Sequence, residues 1–297
     1  MILILLLYAL CASSFTISKA VLAYSAPIFF VAIRMIVAGL LLLGFVWYRN
    51  ALMSIRRVWQ LFLPVIFFHI YCAYVFDIWS LQYMTSFKSS FFFNLSPFIT
   101  ALLSYFYLNE RLTIKKWIGL IIGFVGLMPM LLKDAPSEQL FGEVLNISIP
   151  EIFLLIGIIS SCIGWISMKR LLPYGYSPLL INGIGMFYGG LLALGTSAIA
   201  ENWFVTPPVK ELIPFLGLTA LIIVVCNFIF YNLYGYALHK YSPTFLSFAG
   251  FTCPLFTALF GMIFLNEQVT WHFVVASVVV FIGLYLFYSD ELQTSRF

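Results

Sequence analysis

Apolar runs about as long as a bilayer is thick constrain this sequence more than any other feature. A helix of about 20 residues crosses the roughly 30 Å of hydrocarbon in a bilayer. Hydrophobic residues make up 63% of the chain and charged residues 9%, which is more apolar surface than a water-soluble fold can bury. We therefore expect an all-α polytopic membrane protein with ten transmembrane helices. The runs lie at about 2–22, 27–47, 59–83, 86–108, 114–132, 150–172, 178–200, 212–238, 243–265 and 271–288.

The basic residues between these runs predict an orientation. With a cytoplasmic N-terminus, ten Lys and Arg residues fall on the cytoplasmic side and four on the other. Cytoplasmic loops carry the excess of basic residues in membrane proteins, so both termini are expected to be cytoplasmic. The basic residues form no continuous face, and nucleic acid is therefore not an expected partner, whereas the lipid bilayer is.

An internal repeat links the two halves of the chain. Residues 96–113 read SPFITALLSYFYLNERLT and residues 253–270 read CPLFTALFGMIFLNEQVT, with eight of 18 positions identical at a constant offset of 157. Pro, Thr, Asn and Glu recur in register, which apolar composition alone does not produce. The front of each half matches more weakly, where SAP at 25–27 resembles YSP at 176–178.

The repeat predicts two domains that enter the membrane in opposite directions. Five helices per repeat is an odd number, so the second copy is inverted relative to the first. Such inverted repeats are common in secondary transporters, where two opposed halves exchange roles. We expect a first repeat at 1–132, an acidic linker at 133–149, a second repeat at 150–290 and a cytoplasmic tail at 291–297.

These features resemble the EamA-type transporters of the drug/metabolite transporter superfamily over nearly the whole chain. The resemblance rests on LNERLT at 108–113 and LNEQVT at 265–270, each between a Pro-containing and a Gly-containing helix. Arg34 resembles the arginine of the family's second helix, and 80–83 and 237–240 resemble its paired ends of helices 3 and 8. The second copy has Gln268 in place of Arg111, so the motif is not fully duplicated.

The resemblance implies a function and a location. It implies a secondary transporter that moves a small metabolite across the bacterial inner membrane by alternating access. The cavity is expected among helices 3, 4, 8 and 9, with parts of helices 1, 2, 6 and 7. Some family members are similar to exporters of amino acids or drugs, and some in intracellular bacteria import S-adenosylmethionine.

Charged side chains inside the apolar runs are candidates for the binding site, because each is costly in lipid. Asp77 is the one acid well inside a run, and it is either a substrate or proton site or a structural partner for Arg34 or Lys88. Arg34 could pair with Asp77 or a substrate carboxylate, or reach the surface with its long side chain. His69 is read as a packing histidine or a proton relay.

Two amides and two motif carboxylates complete the polar candidates. Asn94 and Asn227 lie in mid-span, where hydrogen bonding between helices competes with substrate contact. Glu110 and Glu267 lie at turns between helices, where we expect them to cap the following helix.

Aromatic residues make up 19% of the chain, and several could line a stacking cavity. An aromatic cavity with one carboxylate suits a cationic or zwitterionic ligand with a flat ring, because rings stack and attract cations. S-adenosylmethionine and aromatic amino acids fit this description. The aromatic candidates are Tyr74, Trp79, Trp165 and Tyr231, with Tyr71 and Tyr236.

Other classes of function find little support in the sequence. Three scattered histidines and few acids offer neither a nucleophile–base pair nor a metal cluster, so an enzyme is not expected and no cofactor is predicted. A channel would require repeated filter sequences or rings of charge, and the sequence contains neither. The five cysteines are read as packing residues. The expected partner is a small-molecule substrate, and a homodimer is left open.

Overall fold

The described part of the chain is almost wholly helical. A computed structural model describes residues 2–49, 58–84, 89, 92–109, 112–131, 148–203, 205, 207–253, 255–256 and 271–294. Within these ranges the only β-contact is an isolated bridge between Ser25 and Val209. The helices are α1 Ile2–Val21, α2 Pro27–Tyr48, α3 Trp59–Leu81, α4 Phe93–Leu108, α5 Ile114–Leu131, α6 Ile149–Leu171, α7 Pro178–Ala200, α8 Leu212–Lys240, α9 Pro243–Ala249 and α10 Trp271–Thr294.

Six of these helices, α1, α2, α3, α6, α7 and α8, are long and apolar enough to cross a membrane. Two shorter apolar helices lie at Phe93–Leu108 and Val278–Phe287. The predicted class of all-helical membrane protein is therefore confirmed. Most bounds lie within two residues of the expected ones, but α4 begins at Phe93 rather than at 86 and α9 ends at Ala249 rather than at 265. Much of the remainder of those two runs lies outside the described residues. α10 runs six residues beyond residue 288 to Thr294. Glu291, Leu292 and Gln293 are good helix formers, which favours helix beyond the end of the apolar run.

The sequence explains where several helices begin. Ser177 and Ser242 each precede a proline, and their hydroxyls accept hydrogen bonds from the backbone N–H groups of Leu180 (3.3 Å) and Phe245 (3.2 Å). Proline has no N–H to satisfy at the first position of a helix, and serine pairs one of the free N–H groups that follow. At the start of α6, Ser148 donates its backbone N–H to Glu151 (2.7 Å).

Both α3 and α8 contain a stretch with wider turns than an α-helix. The π-helical stretches are Val65–Cys72 and Ile223–Phe230, each flanked by α-helix. π-helical turns are rare and occur frequently at functional sites. The two stretches are related by the 157-residue register to within one residue.

Small residues let α2 and α7 approach closely. A side chain on Gly39 would meet the backbone N and Cα of Phe187 at 2.5 and 2.7 Å, and one on Gly190 would meet the backbone N of Ile36 at 2.8 Å. Gly190 and Phe187 lie 151 positions after Gly39 and Ile36, so each contact is the counterpart of the other. Close packing of this kind is typical of helix pairs in membranes.

The remaining helices pack in pairs around the centre of the protein. α5 lies against α10, α3 against α6, α4 against α9, and α1 against α8. The pairings α1–α8 and α3–α6 exchange with each other when the first five helices are swapped for the last five. A cavity lies where α1, α3, α6 and α8 meet.

Candidate binding cavity

The central cavity has a volume of about 130 Å³. That is room for on the order of ten waters, given about 10–15 Å³ for each. Seven of the described helices contribute to its wall, and its lining combines polar side chains with aromatic rings. Lining residues include Tyr8, Phe15, Ser18, Arg34, Tyr74, Asp77, Leu81, Asn94, Trp165, Tyr231 and Tyr234.

Arg34 lines the cavity from α2 and is 1% exposed. The alternative in which it reaches the membrane surface is therefore wrong. Its Nε donates to Oδ1 of Asn227 at 2.8 Å, and its Cζ lies 4.9 Å from the centre of the Tyr74 ring. Its buried Nη2 makes no hydrogen bond to any residue that the structure describes. An unpaired buried donor on a cation is costly, so this group is suited to an acceptor that enters the cavity.

A network of side chains holds Arg34 in place. Asn227, in the π-helical stretch of α8, donates its Nδ2 to the Sδ atoms of Met35 (3.2 Å) and Met186 (3.5 Å). Asn232 donates to the backbone carbonyls of Asn227 (3.2 Å) and Phe228 (2.8 Å). The amide of Asn227 is thus used in supporting Arg34 and does not itself line the cavity.

Asp77 lines the cavity from α3, where it is half-buried. The Ser89 hydroxyl donates to its Oδ1 at 3.4 Å, a long hydrogen bond. Arg34 lines the same cavity, and these two described residues form no direct ion pair with each other. Lys88, the other partner considered for Asp77, lies outside the described residues.

Aromatic rings form one side of the cavity. The Trp165 and Tyr234 rings stack with centres 3.8 Å apart and planes at 28°. Tyr231 lies 5.2 Å from Trp165 and 6.0 Å from Tyr74, measured between ring centres. All four residues line the cavity, which gives a ligand ring several faces to stack on.

Asn94 also lines the cavity, at the start of α4 rather than in mid-span. It is 3% exposed, and its Nδ2 has no hydrogen-bond partner among the described residues. Arg34 and Asn94, which both line the cavity, thus each hold an unpaired buried donor.

Four aromatic or histidine candidates lie away from the cavity. Trp79 packs against Phe153 and Tyr83, because it follows Asp77 by two residues and so lies on the opposite side of α3. Tyr71 hydrogen-bonds Thr196 at 2.7 Å, and Tyr236 is 48% exposed.

His69 packs behind the cavity wall, with its ring centre 4.2 Å from that of Trp165. His69 is fully buried, and neither ring nitrogen makes a hydrogen bond of good geometry to a described residue. The backbone of Ser161 lies near the ring. Gly164 makes room for it, since a side chain there would overlap the histidine. The packing interpretation of His69 fits this position.

The structure adds lining residues that sequence reasoning did not select. Tyr8 donates its hydroxyl to the backbone carbonyl of Leu246, and Tyr234 stacks on Trp165. Tyr234 follows Tyr231 by three residues, so helical spacing could have indicated it. Phe15 lies 150 positions before Trp165, and the repeat could have indicated that pair. Four of the cysteines read as packing residues also line the cavity: Cys11, Cys162, Cys226 and Cys253.

Two further predictions fall partly outside the structure. Glu110 and Glu267 lie beyond the described residues, so their capping role stays a prediction. Asn109 next to Glu110 ends α4 in the left-handed conformation, with φ 55°.

Across the described ranges, no group of three or more His, Cys, Asp or Glu side chains is placed to hold a metal.

Comparison with known proteins gives the family. A family profile described as the EamA-like transporter family matches residues 1–132 and 148–289. An S-adenosylmethionine/S-adenosylhomocysteine transporter of Chlamydia muridarum is 31% identical over 95% of this chain and 89% of its own length. A protein of the same description from Chlamydia trachomatis is 31% identical over 95% of this chain and 86% of its own length.

A solved crystal structure has a similar fold. It superposes with a TM-score of 0.77 over 99% of this chain and 96% of its own, at 14% sequence identity. The family profile and the two chlamydial matches confirm the resemblance to EamA-type transporters, and both of these relatives are named as transporters. The chain belongs to the EamA-like transporter family, whose profile covers both of its halves.

Proposed function

We propose that this transporter carries S-adenosylmethionine and S-adenosylhomocysteine through the central cavity. The observation that carries the proposal is the unpaired Nη2 of Arg34 in a cavity that also holds Asp77 and a wall of aromatic rings. The two chlamydial relatives, which align over most of their length, are named for these two compounds.

The groups of S-adenosylmethionine match the groups of the cavity. Its carboxylate suits Arg34, which supplies a free N–H, and its ammonium suits Asp77 on the facing helix. Its adenine suits the wall built by Trp165 and Tyr234, since a purine stacks on aromatic faces. The positive sulfonium is attracted to the faces of Tyr74 and Tyr231.

Asn94 and Asn227 have different roles in this proposal. Asn94 offers its free Nδ2 to a ligand acceptor, such as a ring nitrogen of adenine. Asn227 acts through Arg34, because its Oδ1 accepts a hydrogen bond from the Arg34 Nε. It thereby positions the guanidinium for the ligand carboxylate. His69 supports Trp165 from behind, and Trp79 has no part in binding.

The transport cycle we propose uses two inverted five-helix repeats. The first repeat spans 1–132 and the second 150–290, joined by the acidic linker at 133–149. Support comes from contacts that recur at the repeat offsets: the paired glycines of α2 and α7, and the matched π-helical stretches of α3 and α8. Two equivalent halves let the cavity face each side of the membrane in turn.

The proposed location is the bacterial inner membrane, with both termini in the cytoplasm. The distribution of Lys and Arg, ten against four, supports this orientation. In it, α1 ends at the outer face and α6 ends at the inner face.

Uptake by purified protein in proteoliposomes tests the substrate. We expect saturable uptake of labelled S-adenosylmethionine that is competed by S-adenosylhomocysteine at similar concentrations. Methionine and adenosine, which each carry half of the recognised groups, should compete at least about tenfold more weakly, the factor for 1.4 kcal/mol. Competition by methionine alone would instead indicate an amino-acid carrier, and absence of uptake would contradict the proposal.

A further inference from the structure

Lys19, near the end of α1, binds the C-terminal end of α3. Its Nζ donates to the backbone carbonyls of Leu81 at 2.5 Å and Met84 at 2.8 Å, with a longer contact to Gln82 at 3.4 Å. The last carbonyls of a helix have no partner within the helix and carry partial negative charge. A lysine ammonium therefore neutralises the end of α3 and ties it to α1.

Lys169, near the end of α6, does the same for α8. Its Nζ donates to the backbone carbonyls of Leu238 and of Tyr241, the second at 3.2 Å. Both lysines are half-buried.

The two arrangements are counterparts in the repeat, including their acceptors. Leu238 and Tyr241 lie 157 positions after Leu81 and Met84, the offset found in the duplicated motif. Lys169 lies 150 positions after Lys19, the same spacing that separates Phe15 from Trp165. We call these the Lys19 clamp (Lys19 with Leu81 and Met84) and the Lys169 clamp (Lys169 with Leu238 and Tyr241).

The clamps lie next to the cavity wall. Ser18 directly precedes Lys19, and Leu81 is one of the two acceptors in the Lys19 clamp. Both residues line the cavity. Trp165 lies one turn before Lys169 and Tyr234 one turn before Leu238, and both line it as well. Each clamp thus fixes the ends of two helices that carry ligand-facing side chains. If the repeats are inverted, the clamps lie at opposite faces of the membrane.

We propose that the Lys19 and Lys169 clamps are the two gates of the carrier, which release one at a time. The proposal rests on the alternating access proposed above. Both clamps are formed in this structure, and the two are equivalent by sequence. A carrier opens one mouth while the other stays closed, so this equivalence must be broken in each open state. In each open state the clamp at the open mouth is broken. Its release lets α1 move away from α3 at one face, or α6 move away from α8 at the other.

Thiol labelling tests the gates without any substrate. The native thiols of the cavity, Cys11, Cys162, Cys226 and Cys253, are the targets of a membrane-impermeant maleimide added to either face. Lys19→Met should raise labelling from the face at which α1 ends by about fivefold and lower it from the other face, since about 1 kcal/mol shifts an equilibrium by that factor. Lys169→Met should do the reverse.

The controls are matched in charge and position. Lys210 is exposed beside the turn after α1, where its backbone N–H donates to the Tyr24 carbonyl, and Arg170 is exposed next to Lys169. Lys210→Met and Arg170→Met should leave labelling unchanged. Lys19→Arg and Lys169→Arg keep a charged donor and should restore much of the wild-type pattern, which separates gating from misfolding.

Labelling that shifts in the same direction in both Lys→Met variants, or does not shift, overturns the proposal. The outcome is independent of the substrate. Opposite shifts in a protein that does not carry S-adenosylmethionine would leave the gates standing and refute the substrate alone. Normal uptake with unshifted labelling would refute the gates alone.

Discussion

Arg34 carries a charge that the centre of a bilayer excludes at a cost of about 2.5–3.5 kcal/mol. The protein offsets this cost with the Oδ1 of Asn227 and with the face of Tyr74. Its Nη2 makes no hydrogen bond to the described residues. In the proposed binding mode a ligand carboxylate would pair with that donor and offset its cost, which favours an anionic group at this end of the ligand.

Asp77 supplies the test of how the amino-acid portion is recognised. Asp77→Asn removes the charge that we propose pairs with the ligand ammonium, while it keeps the shape of the side chain. We expect the half-saturating concentration of S-adenosylmethionine to rise at least about tenfold, and that of S-adenosylhomocysteine to rise similarly, because both compounds carry the ammonium. Uptake at graded concentrations in proteoliposomes measures this.

Glu211→Gln is the matched control for Asp77→Asn. Glu211 is exposed just before α8, so its neutralisation should leave uptake unchanged. Unaltered uptake of both compounds by Asp77→Asn would remove Asp77 from the binding site.

Sequence reasoning at this scale selects residues by the cost of polar groups in lipid. Of the polar residues selected in this way, Arg34, Asp77 and Asn94 line the cavity, whereas Asn227 and His69 do not. It could not place Trp79, because an aromatic side chain is equally stable against lipid and against protein. Lys19 was counted only as a topology signal, since its acceptors lie 62 positions or more away in the chain.

At the scale of elements, the crossing of α2 and α7 depends on two glycines. Gly39 and Gly190 each lie against the partner helix's backbone, so neither helix can move closer or carry a larger residue there. Close packing through small residues of this kind stabilises helix pairs in membranes.

Gly39→Ala tests this crossing. The added methyl would lie 2.5 Å from the backbone N of Phe187, and overpacking of this kind costs about 1–3 kcal/mol. We expect a lower thermal midpoint for the detergent-solubilised protein. Gly44→Ala, on the same helix with nothing within 4 Å of the added atom, should be neutral or stabilising. Equal midpoints for the two variants would mean that the crossing is not tight.

The π-helical stretches show what sequence patterns do not reveal about elements. Pro64 directly precedes the first stretch, but Ile222 precedes the second, so proline is not their shared cause. Asn232 satisfies two carbonyls of the second stretch, and α3 has Val75 at the position related by 157. Hydropathy measures only the length of such helices, and their turn width depends on contacts with neighbouring helices.

At the scale of the molecule, the helix bounds followed from apolar length and from Ser-Pro starts. The bounds of α2, α5, α6 and α7 lie within one residue of those expected from the sequence. This single sequence does not predict how the helices are arranged around the cavity, because all lipid-facing surfaces are alike in composition. The repeat offsets carried part of that information, since they relate contacts such as the Lys19 and Lys169 clamps.

The central claim is that one cavity carries S-adenosylmethionine and faces the two sides of the membrane in turn. Counterflow tests it most directly, in proteoliposomes loaded with excess unlabelled S-adenosylmethionine and diluted into a trace of labelled compound. An alternating carrier should accumulate label transiently above its equilibrium level, and loading with S-adenosylhomocysteine should do the same. Label that only equilibrates, at a rate that does not saturate, would indicate a channel and contradict the account.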